Sequence, residues 1–461
     1  MATAIAQFRS VNPATGEEIE VFDITTGGEV DAALKLVADR APRWAGTPLA
    51  ARAQLLHDLA AVLRRDVDLL AATSTAEMGK TLAEARAEVE KCAFGCDYFA
   101  DNAAQFLADE PSPSDSPASF ITFEPLGTVL ACMPWNFPYW QVIRCFAPAV
   151  AAGNCVVLKH ANSVTRCALR LADAIRDAGF PESVFAVLII PVDMVGGVIA
   201  DPRINAVSLT GSTEAGRSVG SIAGAHLKKS VLELGGSDAF VVLDDADITA
   251  AAAMAAKSRF QNAGQSCIAA KRFIVAESVA EDFEERLAAE ARAIKVGDPT
   301  DPATTMGPLA RSDLRRSLRR QLDESVAAGA EIIHGGSAPD GPGFYFEPTV
   351  IRRCTVDMPA FTEETFGPLA AVMRVRDDDE AVAVANHTTF GLGGNVWSGN
   401  PDRGLAVASR MHTGGVFING MTHSDPRLPF GGIGESGYGR ELHRYGLREL
   451  VNIKTVWRPA G

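Results

Sequence analysis

The sequence predicts an α/β fold made of two α/β units in series. From about residue 120, short β-rich runs alternate with helical stretches at the spacing of strand–helix–strand units. A second set of the same kind begins near residue 236. The chain has 461 residues, and at roughly 150 per domain it has length for about three folding units with real cores.

Residues 28 to 107 read as successive amphipathic helices. In Pro48 to Arg64 the apolar residues Leu55, Leu56, Leu59, Val62 and Leu63 recur on one helical face. Thr47 is the expected cap, and Pro48 suits the first helical position. A further helix is expected from Thr81 to about Leu107. The stretch DEPSPSDSPAS (109–119) is rich in Pro and Ser and reads as a loop or crossing segment. Strands are then expected at TVLACM (128–133), CVVLK (155–159), VFAVLI (184–189) and AVSLT (206–210). A helix near 163–178 starts at the polar Asn162-Ser163 cap and stops before Gly179 and Pro181. In the second unit FVVL (240–243) and RFIVA (272–276) are the first strands. Two such units in series imply a cleft between them.

Composition narrows the function classes. Apolar residues make up 47 % and charged residues 22 %, which excludes disordered and fibrous chains. Acids outnumber bases 57 to 43, a net charge of −14. Nucleic acid and anionic membrane would be repelled, so neither is an expected partner. Pro125 to Ile143 carries no charge, but Pro125, Pro134, Pro138, Asn136 and Gln141 make a lipid-exposed helix untenable there. The opening MATAIAQFRSV has no basic segment followed by an apolar one, so no targeting peptide is expected. Eight cysteines are scattered without zinc-ligand spacing, which points to a reduced cytoplasmic chain with no metal. GIGESG (432–437) fits a dinucleotide glycine pattern, but too little chain follows for a strand–helix–strand unit, and it reads as a turn.

Four segments carry candidate chemistry: PWNFP (134–138), LELGG (232–236), NAGQSC (262–267) and EETFGP (363–368). Cys267 follows Gly264, Gln265 and Ser266, a small turn-forming approach that could present a nucleophile without crowding. Glu233, flanked by leucines and followed by two glycines, could have a raised pKa and act as a general base. Asn136 lies in an apolar run, where a buried amide needs partners and could donate to an oxyanion. Taken singly, each has a plainer reading: a buried structural cysteine, a salt-bridged strand end, a capping asparagine. Thr210-Gly211-Ser212 ends a strand before a helix, where exposed N–H groups suit a phosphate. Arg144 is the only charge between Pro125 and Leu158. It needs a partner, either a substrate carboxylate or a nearby acid.

Together these segments resemble the NAD(P)-dependent aldehyde dehydrogenase superfamily. The resemblance runs from NPATGEEI (12–19) to VNIKTVW (451–457). MPWNFPYWQVIR (133–144), LKHA (158–161), LELGGSD (232–238) and AAKRFI (269–274) bring it nearer to the short bacterial succinate-semialdehyde dehydrogenases. It implies an aldehyde dehydrogenase-like α/β fold. A Rossmann-like cofactor domain would span 1–119 and 138–235, and an α/β catalytic domain 236–428. A small β oligomerisation arm would comprise 120–137 and 429–461.

The resemblance also implies roles. Cys267 would be the nucleophile, Glu233 the general base, and Asn136 with the Cys267 N–H the oxyanion donors. Lys159 and Asn162 would lie at the adenosine ribose, Gly211 and Ser212 at the pyrophosphate, and Glu364 at the nicotinamide ribose. Trp135, Leu234 and Phe366 would line the cofactor side. Arg144 would take the substrate carboxylate, with Ser424 beside it and Gln261 where some members carry Arg. The expected reaction converts an aldehyde, foremost succinate semialdehyde, to its acid through a Cys267 thioester. Another small or medium aldehyde is the alternative. Transfer to coenzyme A is a weaker one, since Glu233 supplies a base for water. Asn162 stands where NAD enzymes of the family often carry Glu, so both NAD and NADP are expected cofactors. A homodimer or homotetramer is the expected assembly.

Overall fold

The structure is a computed structural model and describes residues 7–112, 114–116 and 118–459. The first six residues, part of the opening read above for targeting, lie outside the described residues, as do Pro113 and Pro117 of the 109–119 segment.

The chain opens with an antiparallel hairpin, β1 (Gln7–Val11) and β2 (Glu18–Asp23). Four helices follow: α1 (Gly27–Ala45), α2 (Leu49–Arg65), α3 (Val67–Met78) and α4 (Leu82–Phe106). Capping boxes start α1 at Thr26/Glu29 and α4 at Thr81/Glu84. Pro48 stands at the cap position of α2, outside its first turn. Thr47 caps nothing there; its hydroxyl donates to Arg43 O at 3.2 Å.

The crossing segment contains the short β3 (Glu110–Pro111) and leads to β4 (Phe120–Pro125). The first α/β unit then runs β5 (Thr128–Met133), α5 (Trp140–Ala151), β6 (Cys155–His160), α6 (Thr165–Asp177), β7 (Phe185–Val187), α7 (Val192–Ala200), β8 (Ala206–Thr210), α8 (Thr213–Ala225) and β9 (Lys229–Glu233). Asn162–Val164 forms a 3₁₀ turn ahead of α6.

The second unit contains β10 (Asp238–Val242), α9 (Ile248–Phe260), β11 (Ala270–Ala276), α10 (Glu277–Ala293), α11 (Ser312–Ala327), β12 (Glu331–His334), β13 (Thr349–Arg352), α12 (Pro359–Thr362), β14 (Leu369–Val375), α13 (Asp378–Asn386), β15 (Gly393–Trp397), α14 (Pro401–Ala408) and β16 (Gly415–Ile418). The chain closes with β17 (Gly437–Tyr438), α15 (His443–Glu449) and β18 (Val451–Val456).

Two sheets, each with its own apolar core, frame the molecule. One has the order β17-β9-β8-β5-β6-β7 and is parallel except at β17. The other has the order β12-β13-β14-β11-β10-β15-β16 and is parallel except between β12 and β13. β18, β4 and β3 make a separate antiparallel sheet.

The domain division expected from sequence needs two corrections. Residues 128–133 belong to the interior of the six-stranded sheet and not to the arm. All six are buried, and Val129 to Cys132 have parallel partners on both sides, which is what an unbroken apolar strand requires. Gly437–Tyr438, also expected in the arm, adds an antiparallel edge to β9.

The topology creates the site. From β5 the chain fills one side with β6 and β7, then returns to the other side with β8 and β9. Loops leaving the C-terminal ends of β5 and β8 diverge at this switch point, where crevices form. Residues 234–237 then carry the chain directly from β9 into β10. The C-terminal edge of one sheet therefore meets loops leading into strands of the other. Among the described residues no helix is long and apolar enough to cross a membrane.

Candidate active site

Residues 262–267 present Cys267 from an irregular turn ahead of β11. Asn262, Ala263 and Gly264 are all left-handed, with φ of 56°, 52° and 70°. A Cβ on Gly264 would lie 2.4 Å from Gly367 O, so glycine is needed for space as well as for conformation. Arg259, fully buried, ties the turn by donating to Gly264 O at 2.7 Å and to Gly367 O at 2.5 Å. Lys271 donates to Ser266 O at 3.0 Å and to Cys267 O at 2.8 Å, and lies 3.4 Å from Glu364. Of the eight cysteines, Cys267 alone is partly exposed and the other seven are buried. Its desolvated surroundings push the thiol up to about 11, while Arg144 and Lys271 pull the other way.

Asn136 follows β5 and is joined to the same turn. Its Nδ2 donates to Gln265 O at 3.1 Å, and its own carbonyl accepts from Asn262 Nδ2 at 3.0 Å. One amide hydrogen of Asn136 suffices for that bond, so the second remains for another acceptor.

Glu233 ends β9, and its backbone carbonyl accepts from Gly211 N–H at 3.0 Å. Its carboxylate oxygens are buried and have no hydrogen-bond partner among the described residues. Burial pushes this carboxyl well above the usual range and the neighbouring Glu441 adds to the effect, against Arg144 and Arg440. Burial thus disfavours the ionised form of Glu233 beside the Glu441–Arg144 pair, and Glu233 does not line the cavity at Cys267.

That cavity, of about 690 Å³, is bounded by Cys267, Gln261, Phe137, Trp140, Arg144 and Ser424, among others. Arg144 differs from the lone unpaired guanidinium that the sequence suggests. Its Nε pairs with Glu441, its NH2 donates to Thr210 Oγ1 at 3.2 Å, and its plane lies 4.6 Å from the Phe430 ring centroid. The nearby-acid reading is therefore realised, although Arg144 still faces the cavity. Ser424 Oγ accepts from Lys91 Nζ at 2.7 Å and from Trp140 Nε1 at 2.9 Å. Sequence reading missed Lys91, Glu441 and Lys271. Lys91 sits one helical turn after Glu88 within an amphipathic pattern, and Glu441 lies in the C-terminal stretch. Lys271 alone left a signal, a charge inside the apolar strand AAKRFI.

The remaining predicted residues do not line that cavity. Glu364 Oε1 accepts from Gly236 N–H at 3.0 Å, and a Cβ on Gly235 would lie 2.5 Å from Glu364 Oε2. Trp135 and Phe366 meet edge to face at 5.7 Å. Leu234 packs onto α8 where Gly216 leaves room. Gly211 leads into α8, and Ser212 caps it by accepting from Ala215 N–H at 3.2 Å. Lys159 Nζ donates to Asn162 Oδ1 at 3.3 Å, and no carboxylate pairs with it among the described residues. Arg166, by contrast, is paired with Glu20.

Comparison with known proteins follows the same outline. The aldehyde dehydrogenase family pattern matches residues 1–456. Succinate-semialdehyde dehydrogenase [NADP(+)] 1 of Mycobacterium tuberculosis is 49 % identical over 451 residues, covering 97 % of this chain and 99 % of that protein. Its counterpart in Mycobacterium avium is 48 % identical over 452 residues, covering 97 % of this chain and 96 % of that protein. The crystal structure of succinic semialdehyde dehydrogenase from Streptococcus pyogenes in complex with NADP+ superposes with a TM-score of 0.96 at 40 % identity, covering 98 % of this chain and all of that one.

Proposed function

The chain belongs to the aldehyde dehydrogenase family, and from that premise we propose that it oxidises succinate semialdehyde to succinate with NADP. The observation that carries this reading is the cavity at Cys267, where Arg144, Lys91 and the Ser424 hydroxyl share a wall with aromatic side chains; Lys257 and the carboxylates of Glu84, Glu88 and Glu290 complete its charged lining, Glu88 being paired with Lys80. Such a space suits a short aldehyde bearing an acid group at its other end.

The predicted cofactor residues, which lie outside that cavity, fit the cofactor. Lys159 has only the neutral Asn162 beside it, so a 2′-phosphate meets no carboxylate there. Gly211 and Ser212 offer the start of α8 to the pyrophosphate. Glu364, admitted by Gly235, takes the nicotinamide ribose, with Trp135, Leu234 and Phe366 around the ring. The pairing of Arg166 with Glu20 leaves Lys159 as the principal positive charge. We therefore expect NADP to be used and NAD to be accepted.

Cys267 ionises against burial, aided by Arg144 and Lys271, and its sulfur attacks the aldehyde carbon. The oxyanion that forms accepts from the Cys267 N–H and from the spare Asn136 N–H. Bound NADP supplies hydride acceptance, leaving the acyl group as a thioester on Cys267. Glu233, once ionised, takes a proton from water, whose oxygen attacks the thioester carbon. The Cys267 thiolate departs and the acid is released. Desolvation gives Glu233 enough basicity for this step, at the expense of its ionised fraction.

An initial-rate matrix tests the reading, with succinate semialdehyde and butanal against NADP and NAD. Succinate semialdehyde with NADP should be the best pair, with NAD within about tenfold in kcat/KM. Asn162→Glu should penalise NADP selectively. Equal rates with butanal would refute the substrate, and an unchanged cofactor ratio in Asn162→Glu would refute the role of position 162.

A further inference from the structure

α4 carries into the cavity a cation that no motif marks. Lys91 Nζ donates to Ser424 Oγ at 2.7 Å and lies 4.5 Å from the Trp140 ring centroid. It makes no ion pair among the described residues, in contrast to three neighbouring charges. Lys80 pairs with Glu88 at 2.5 Å, Arg144 with Glu441, and Arg427 with Asp425 at 2.6 Å. A largely desolvated ammonium without a counter-ion is costly, and an anion arriving in the cavity relieves that cost.

Ser424 shows where the anion would sit. A serine hydroxyl has two acceptor lone pairs and one hydrogen to donate. Lys91 and Trp140 Nε1 occupy the two acceptor positions. The Ser424 hydrogen therefore has to point elsewhere, and Ser424 itself lines the cavity. One charged N–H and one O–H thus converge at one point of the wall, a pairing suited to the two oxygens of a carboxylate.

We infer that Lys91 is the specificity-determining cation of this cavity and, with the Ser424 hydroxyl, seats the carboxylate at the far end of the substrate. The inference rests on the reading of the substrate as an acid-bearing aldehyde. Arg144, already paired with Glu441, then shapes the wall and contributes only the part of its charge that Glu441 leaves unmatched.

The test compares kcat/KM for succinate semialdehyde and for butanal in the wild type, Lys91→Met and Lys91→Arg. Loss of a hydrogen bond to a charged group predicts that Lys91→Met lowers the succinate semialdehyde/butanal ratio by roughly 10–150-fold, chiefly through KM. Lys91→Arg, which keeps the charge, should retain most of the wild-type ratio. If Lys91→Met does not fold, Lys91→Gln takes its place as the neutral variant. A wild type that favours succinate semialdehyde, with a neutral variant whose ratio is unchanged, overturns the role of Lys91 and leaves the substrate standing. A wild type without that preference overturns both.

Discussion

Glu233, Glu441 and Arg144 meet in one buried cluster drawn from β9, the C-terminal stretch and α5. Burial there, with Glu441 adding to it, raises the Glu233 pKa, so the proposed activation of water needs the disfavoured ionised form. The sign of the pH dependence follows. Thioester hydrolysis should climb with pH as Glu233 ionises. Glu441→Gln removes one charge that raises the Glu233 pKa and leaves Arg144 unopposed, so the climb should move to lower pH. Steady-state rates measured across pH would show it; an unmoved or upward-shifted limb would contradict the cluster's role. Lys91 gives a second dependence with the opposite sense. Burial and the Arg144 charge hold its ammonium down to about 8, against Glu88, Cys92 and Asp425. Its attraction for an anion should therefore fade as pH rises past that value. Cys267, Glu233 and Asn136 stand out in sequence as candidates because short local motifs carry them. The cluster does not, since Glu441 reaches Arg144 only through the fold.

The decisive local element is the turn at 262–267. Three consecutive left-handed residues leave little freedom, and Arg259 ties the turn to Gly367. Gly264→Ala would place a methyl group 2.4 Å from the Gly367 oxygen, in a backbone conformation that side chains disfavour. It should destabilise the protein by roughly 1–3 kcal/mol and displace the nucleophile. Thermal unfolding and the rate of thiol labelling at Cys267 would reveal both effects, and a variant unchanged in both would show that the turn is not the constraint. The regular elements were more legible than this turn. Strands 128–133 and 206–210 match their apolar runs end to end, while 184–189 shortens to Phe185–Val187. Periodicity reports burial directly, but a left-handed turn leaves only a glycine and small neighbours in the sequence.

Across the whole molecule, the two-unit plan with a cleft was readable from alternating patterns, while sheet membership was not. β5 and β17 are assigned by strand pairing, which single-chain patterning does not encode. The antiparallel sheet of β18, β4 and β3 leaves β18 as an edge strand, with Ile453 59 % exposed. An open edge of this kind suits pairing with another chain. In the proposed reaction the acyl group passes through Cys267 and leaves by water that Glu233 activates. Glu233→Gln, mixed with succinate semialdehyde and NADP, quenched in acid and mapped by peptide mass spectrometry, tests it most directly. A succinyl group should accumulate on Cys267 alone and be absent when Cys267→Ala is added. Reduced cofactor formed with no acyl group on Cys267, or with one on another cysteine, would contradict it.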